Sequence, residues 1–128
     1  MAADQGITVV PYSPLGGGLL TGKYAKGETG RLTDDTRYQA RYDQSWMHEP
    51  AAQLAALGAE RGVDPATLAV AWAAKHPIGT LPIISARSVE QLRPSLLAEG
   101  FEMTSALYDQ ITALSTTPAP ATDRLEEA

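Results

Sequence analysis

The stretch Gly6-Ile7-Thr8-Val9-Val10-Pro11-Tyr12-Ser13-Pro14-Leu15-Gly16-Gly17-Gly18-Leu19-Leu20-Thr21-Gly22-Lys23-Tyr24 decides how the chain is read. Its start, Ile7-Thr8-Val9-Val10, is a β-branched run with a glycine before it and a proline after it. Near-continuous apolar character of this kind predicts a buried strand in a parallel sheet. The remainder places four glycines and Pro14 at the C-terminal end of that strand. Glycines there let the backbone approach a ligand closely, so this reads as a functional loop. A second apolar run, Leu81-Pro82-Ile83-Ile84, reads as another strand with Ser85-Ala86-Arg87 as its exit turn.

Helical signals fill the space between and after these runs. Residues 25–48 are the exception: they are polar, mix Arg31, Arg37 and Arg41 with Asp34, Asp35 and Asp43, and show no strong period. A long excursion of this type is a lid, a binding loop or disordered chain. A helix is expected from Pro50, with Ala51, Leu54 and Leu57 on one face and Gly62 as its stop. Asp64-Pro65 then opens a helix that is apolar nearly all round, with Trp72 in the core and Pro77 at its end. Ser88-Val89-Glu90-Gln91 matches a capping box, and Pro94 is out of place in the helix that follows. Thr104 caps a last helix whose stripe is Leu107, Ile111 and Leu114. The order strand, loop, two helices, strand, two helices predicts an α/β fold with parallel pairing. Residues 1–115 form the folded part and residues 116–128 a disordered tail. Two parallel strands cannot cover their own edges, so the chain reads as part of a larger α/β architecture, with self-association through exposed strand edges as a consequence.

Composition narrows the classes of partner. The 128 residues carry 15 acidic and 10 basic side chains, a net charge of −5, with no basic run. That balance argues against nucleic acid or an anionic membrane as the main partner. The absence of cysteine removes disulfides and thiolate chemistry and fits a reducing cytoplasm. No apolar run reaches membrane-spanning length, and His48 and His76 are too far apart in sequence for a short zinc motif. Gly17 to Lys23 has the G-x-x-x-x-G-K spacing of a P-loop, but Tyr24 stands where the magnesium-binding Ser or Thr belongs, and glycines follow where a helix should start.

The longer string from Val10 to Tyr24 resembles the seventh strand and following loop of aldo-keto reductases. Pro82-Ile83-Ile84-Ser85-Ala86-Arg87-Ser88-Val89-Glu90-Gln91-Leu92 resembles the eighth strand and the helix start of that family, and Leu68-Ala69-Val70-Ala71-Trp72 its penultimate barrel helix. The resemblance implies the C-terminal fragment of a (β/α)8 TIM barrel: two parallel strands plus about four helices. It also implies NADP(H) as cofactor and an aldehyde or ketone as substrate. By the same resemblance Tyr12 stacks on the nicotinamide, Ser13, Leu15 and Gly16 follow the pyrophosphate, and Lys23 and Arg31 lie in the loop that folds over the cofactor. Ser85, Ala86, Arg87, Gln91 and Ser95 correspond to positions near the adenosine 2′-phosphate and adenine. Arg87 leans the cofactor preference toward the phosphate. The family's catalytic Asp, Tyr, Lys and His belong to earlier barrel strands, and none maps onto this chain. A complete barrel takes about 250 residues. The expectation is therefore an oxidoreductase segment that acts on a small carbonyl compound when a missing N-terminal half completes it. The alternative is a non-catalytic, truncated or regulatory module that binds cofactor or associates with other chains, a role that the family's potassium-channel β subunits make reasonable.

Overall fold

The computed structural model describes residues 2–117, so the expected tail falls almost wholly outside the described residues. Six α-helices are present among them: α1 (Arg31–Asp34), α2 (Thr36–Tyr42), α3 (Ser45–Arg61), α4 (Pro65–Ala74), α5 (Val89–Leu96) and α6 (Ser105–Thr112). Short 3-10 turns precede α1, including Gly16–Thr21 in the glycine loop.

The helix boundaries follow from local chemistry. Gly62 adopts φ 64°, a left-handed conformation that costs glycine little, and ends α3. Two residues on, the Asp64 carboxylate accepts the Ala66 N–H at 2.8 Å and Pro65 occupies the first turn of α4. The Ser88 and Thr104 hydroxyls accept the Gln91 and Leu107 N–H groups, which caps α5 and α6. Two boundaries differ from the sequence reading. Helix α3 begins at Ser45, which places Pro50 inside it rather than in its first turn. Helix α5 retains Pro94, whose carbonyl accepts the buried Thr67 hydroxyl at 2.7 Å and so ties α5 to α4.

The main core joins α3, α4 and α6. Leu54 and Leu57, Leu68, Ala69 and Ala71, and Leu107 and Ile111 interlock with Met103. Residues 66–71 of α4 are all buried, as an all-round apolar helix requires, and Leu68 has no exposure at all. Trp72, expected in the core, lies at its rim. It is half-buried, its indole stacks on Tyr108 at 5.8 Å, and its Nε1–H donates to Thr112 at 2.8 Å. An indole at a rim keeps its donor satisfied while its ring covers the core. A second cluster, Leu19, Leu32 and Ala51, seats the excursion against α3 with Tyr24, Tyr38 and Tyr42 around it.

The two expected strands are the main correction. Among the described residues the two segments meet only at isolated parallel bridges, Val9 with Thr80 and Tyr12 with Ile83. The Leu81 N–H donates to the Val9 carbonyl at 3.0 Å and the Ile83 N–H to that of Pro11 at 2.8 Å. Both bridges share one register, which sets Pro11 opposite Pro82. Pro11 faces the second segment and has no N–H to donate, so the ladder between the two bridges is interrupted there, while Pro82 faces the outer edge. Nor are the segments buried: Ile7, Val10, Leu81 and Ile83 are all exposed. The parallel direction is as expected; the regular, buried strands are not.

Candidate functional site

The cleft is built from the two turns that leave the bridged segments. Tyr12 is the last bridged residue of the first segment. Ser13 follows with φ 56°, the only non-glycine at positive φ among the described residues. Backbone strain of this kind concentrates at functional sites. Gly16, Gly17 and Gly18 continue at φ 54°, 66° and 97°, so the chain turns sharply with its backbone exposed to the cleft side. A Cβ at Gly17 would press on Tyr38 and Leu32 at about 3 Å. The turn therefore needs glycine for both its dihedrals and its neighbours.

The excursion covers this loop. Tyr24 is its clasp: its hydroxyl donates to the Gly17 carbonyl at 3.0 Å and accepts the Leu32 N–H at 3.1 Å. Arg31 lies 5.2 Å from the Tyr38 ring centroid and donates to its hydroxyl at 3.4 Å. Lys23 stands 4.9 Å over the Tyr24 ring. Arg41 reaches back from α2 and donates to the Tyr12 hydroxyl at 3.1 Å.

The second turn closes the other side. Arg87 lies 3.9 Å from Asp34 of α1, an exposed pair that spans from turn to excursion. The Gln91 side chain accepts the Arg87 N–H at 3.3 Å, one residue before the position a capping box would use. The Glu90 carboxyl is held below the usual carboxylate range by its own backbone N–H and by the Ser88 hydroxyl. It stays ionised in the cleft at neutral pH.

These parts enclose a cavity of about 610 Å³, within the usual range for small-molecule sites. Of the residues expected from sequence, Tyr12, Ser13, Leu15, Lys23, Arg31, Ser85, Ala86, Arg87 and Gln91 line it. Two do not. Gly16 supports the turn from behind, its N–H donating to Ser13 at 2.9 Å. Ser95 is 3% exposed, because it sits on the inner face of α5, and it lies outside the cavity. The same cavity is lined by Lys26, Gly30 and Tyr38, which sequence reasoning did not select. Their signal was hidden in a polar stretch without periodicity. The Gly17–Lys23 segment is not a P-loop: Leu19 is buried, and only a 3-10 turn, Tyr24–Lys26, follows.

Lys23, Lys26, Arg31 and Arg87 line the cavity beside a glycine turn and the exposed Tyr12 ring, together with the carboxylates of Glu28, Asp64 and Glu90, so the cavity offers cations that could meet a ligand's phosphates within a mixed-charge lining. A model of the Aldo/keto reductase family matches residues 1–116. "Uncharacterized oxidoreductase YrpG" of Bacillus subtilis is 41% identical over 98 residues, covering 76% of this chain and 28% of that protein. "Protein tas" of Escherichia coli is 27% identical over 121 residues, covering 91% and 35%. "Aldo-keto reductase yakc [NADP(+)]" of Schizosaccharomyces pombe is 26% identical over 111 residues, covering 84% and 33%. The chain spans about a third of the length of these curated relatives.

Proposed function

This chain belongs to the aldo/keto reductase family, and from that premise we propose that its cleft holds NADP(H) as part of a carbonyl reductase. The observation that carries the reading is that Tyr12 and Arg87, from turns far apart in sequence, line one cavity. Tyr12 offers an exposed aromatic face to the nicotinamide. The turn around Ser13 and Leu15 follows the pyrophosphate, with Lys23 and Arg31 above it. Ser85, Ala86 and Arg87, with Gln91, take the adenosine end, where a guanidinium favours a 2′-phosphate. NADP(H), when bound, supplies the hydride that reduces a carbonyl carbon. The residues of this chain bind and orient; the family's proton-donating tetrad matches no position here, so turnover on a small aldehyde or ketone requires a polypeptide that brings it. The lack of cysteine supports a cytoplasmic setting.

Titration of the chain with NADPH, followed by the fluorescence of the reduced nicotinamide, tests this reading. Saturable binding that ATP with magnesium does not displace is the expected result, together with no NADPH oxidation when an aldehyde is added. Failure to bind NADPH removes the cofactor assignment. Oxidation by the chain alone removes the claim that the tetrad must come from elsewhere. A second reading, a non-catalytic module that binds cofactor and associates through its open edges, is favoured by the exposed apolar residues on both bridged segments. It predicts the same binding, with no turnover whichever chain is added.

A further inference from the structure

Gly30 immediately precedes α1, and it is buried. Its φ of 167° is extended backbone open to any residue, so conformation does not demand glycine here. Space does. A Cβ at this position would overlap Lys23 Nζ, and it would lie 2.9 Å from Lys23 Cε and 2.8 Å from the Tyr24 hydroxyl. Across the lysine, a Cβ at Gly18 would come within 3.0 Å of the same Cε. The Lys23 side chain thus runs through a slot with a glycine on each wall and the Tyr24 ring at its end. We infer that Gly30 is a positioning residue: its missing side chain sets where the Lys23 ammonium enters the cleft, and so how a bound dinucleotide's phosphates are met.

The inference rests on the cofactor reading above and goes beyond it, because it assigns a role to a residue that need not touch the ligand. The Lys23 ammonium is the flexible end of its side chain. A methyl at Gly30 therefore displaces the lysine, its nearest contact, sooner than it displaces the backbone, and the Tyr24 hydroxyl 2.8 Å away has to shift as well. The Gly30 N–H and C=O keep their bonds to the Thr33 hydroxyl, at 2.9 Å each, whatever side chain is present. Gly18 is a poorer probe, since its φ of 97° would strain any replacement.

The experiment measures NADPH affinity and its salt dependence for the whole 128-residue chain. The variants are Lys23→Gln, Gly30→Ala, the double variant and Lys23→Arg, with Gly100→Ala as a control whose Cβ meets open space. Lys23→Gln is expected to weaken binding about tenfold and to flatten the salt dependence, as loss of one charge-assisted contact does. Gly30→Ala should produce the same two effects, and the double variant should be no weaker than Lys23→Gln alone. If Lys23→Gln weakens binding and Gly30→Ala leaves affinity and salt slope unchanged, the slot is overturned and the cofactor reading survives. If Lys23→Gln changes nothing, Lys23 leaves the cofactor site and the inference falls with it. Should Gly30→Ala fail to fold, Lys23→Arg decides. A bulkier guanidinium does not fit between two glycines, so weakened binding supports the slot and wild-type affinity overturns it.

Discussion

Tyr12 is 66% exposed, an unusual fate for an aromatic ring in a chain with few of them, and its hydroxyl is held by Arg41. The ring and the hydroxyl do separate jobs in the proposed site: one face stacks, and the other end is tethered to α2. Tyr12→Ala should weaken NADPH binding about tenfold, the scale of one lost aromatic stack. Tyr12→Phe keeps the ring but loses the tether, and should weaken binding about threefold, as loss of one exposed hydrogen bond does. Arg41→Ala should weaken binding by at least as much, because Arg41 makes a further contact, and the two changes together should cost less than the product of their separate effects. Fluorescence titration of the four variants reads all of this, and effects of Arg41→Ala and Tyr12→Phe that simply multiply in the double variant would refute the tether. At the opposite extreme of burial, Leu68→Ala should cost about 2–5 kcal/mol of folding stability by urea denaturation, because the site among α3, α4 and α6 leaves little room to collapse.

Helix α2 has one side-chain cap, in addition to the packing of Tyr38 and Tyr42. The Asp35 carboxylate accepts the Arg37 N–H at 2.9 Å and faces the Arg37 guanidinium at 3.4 Å. Both contacts, the side-chain bond foremost, hold Asp35 below its ordinary 3.8. A depressed carboxylate contributes stability that is full above its unfolded value and lost as pH falls through the folded one. Amide resonances of residues 36–42 should therefore keep their helical shifts down to about pH 3.8 and move toward coil below it, ahead of those of α4. Asp35→Ala should show the coil shifts already at neutral pH. Caps such as this one explain what was legible in the sequence. Asp64, Ser88 and Thr104 announce their helices because one side chain and one amide a few residues on suffice. The start of α3 was not legible, because Gln44 gives it no side-chain cap and Pro50 suggests a later beginning. Helices α1 and α2 were hidden because tyrosines packed on the glycine loop hold them, and contacts between distant residues leave no period. Nine of the residues reached by likeness of whole strings line the cavity, whereas Ser95, reached the same way, is buried on α5 outside it.

Alongside the packed helical core, Ile7, Val10, Leu81 and Ile83 of the bridged segments are exposed, as are Val89 and Leu96 of α5 and Leu97 just past it. Apolar residues scattered singly are ordinary on a surface, but unpaired parallel segments with apolar side chains are a template for further pairing. Pro11 limits how regular the pairing between these two segments can be, and Pro82 removes one donor from the outer edge of the second, yet each outer edge still offers its remaining N–H and C=O groups. The family's barrel buries such edges by closing on itself, and this chain spans about a third of its relatives. On its own it should therefore self-associate. Sedimentation of the purified chain is expected to show species heavier than one chain that dissociate on dilution. Val10→Lys with Ile83→Lys places charge on both exposed segments and should shift the population to monomer while the helical circular dichroism is retained, since neither residue belongs to the helical core. A native chain that sediments as a monomer at every concentration would show that the exposed segments need no cover, and the association reading would go with it.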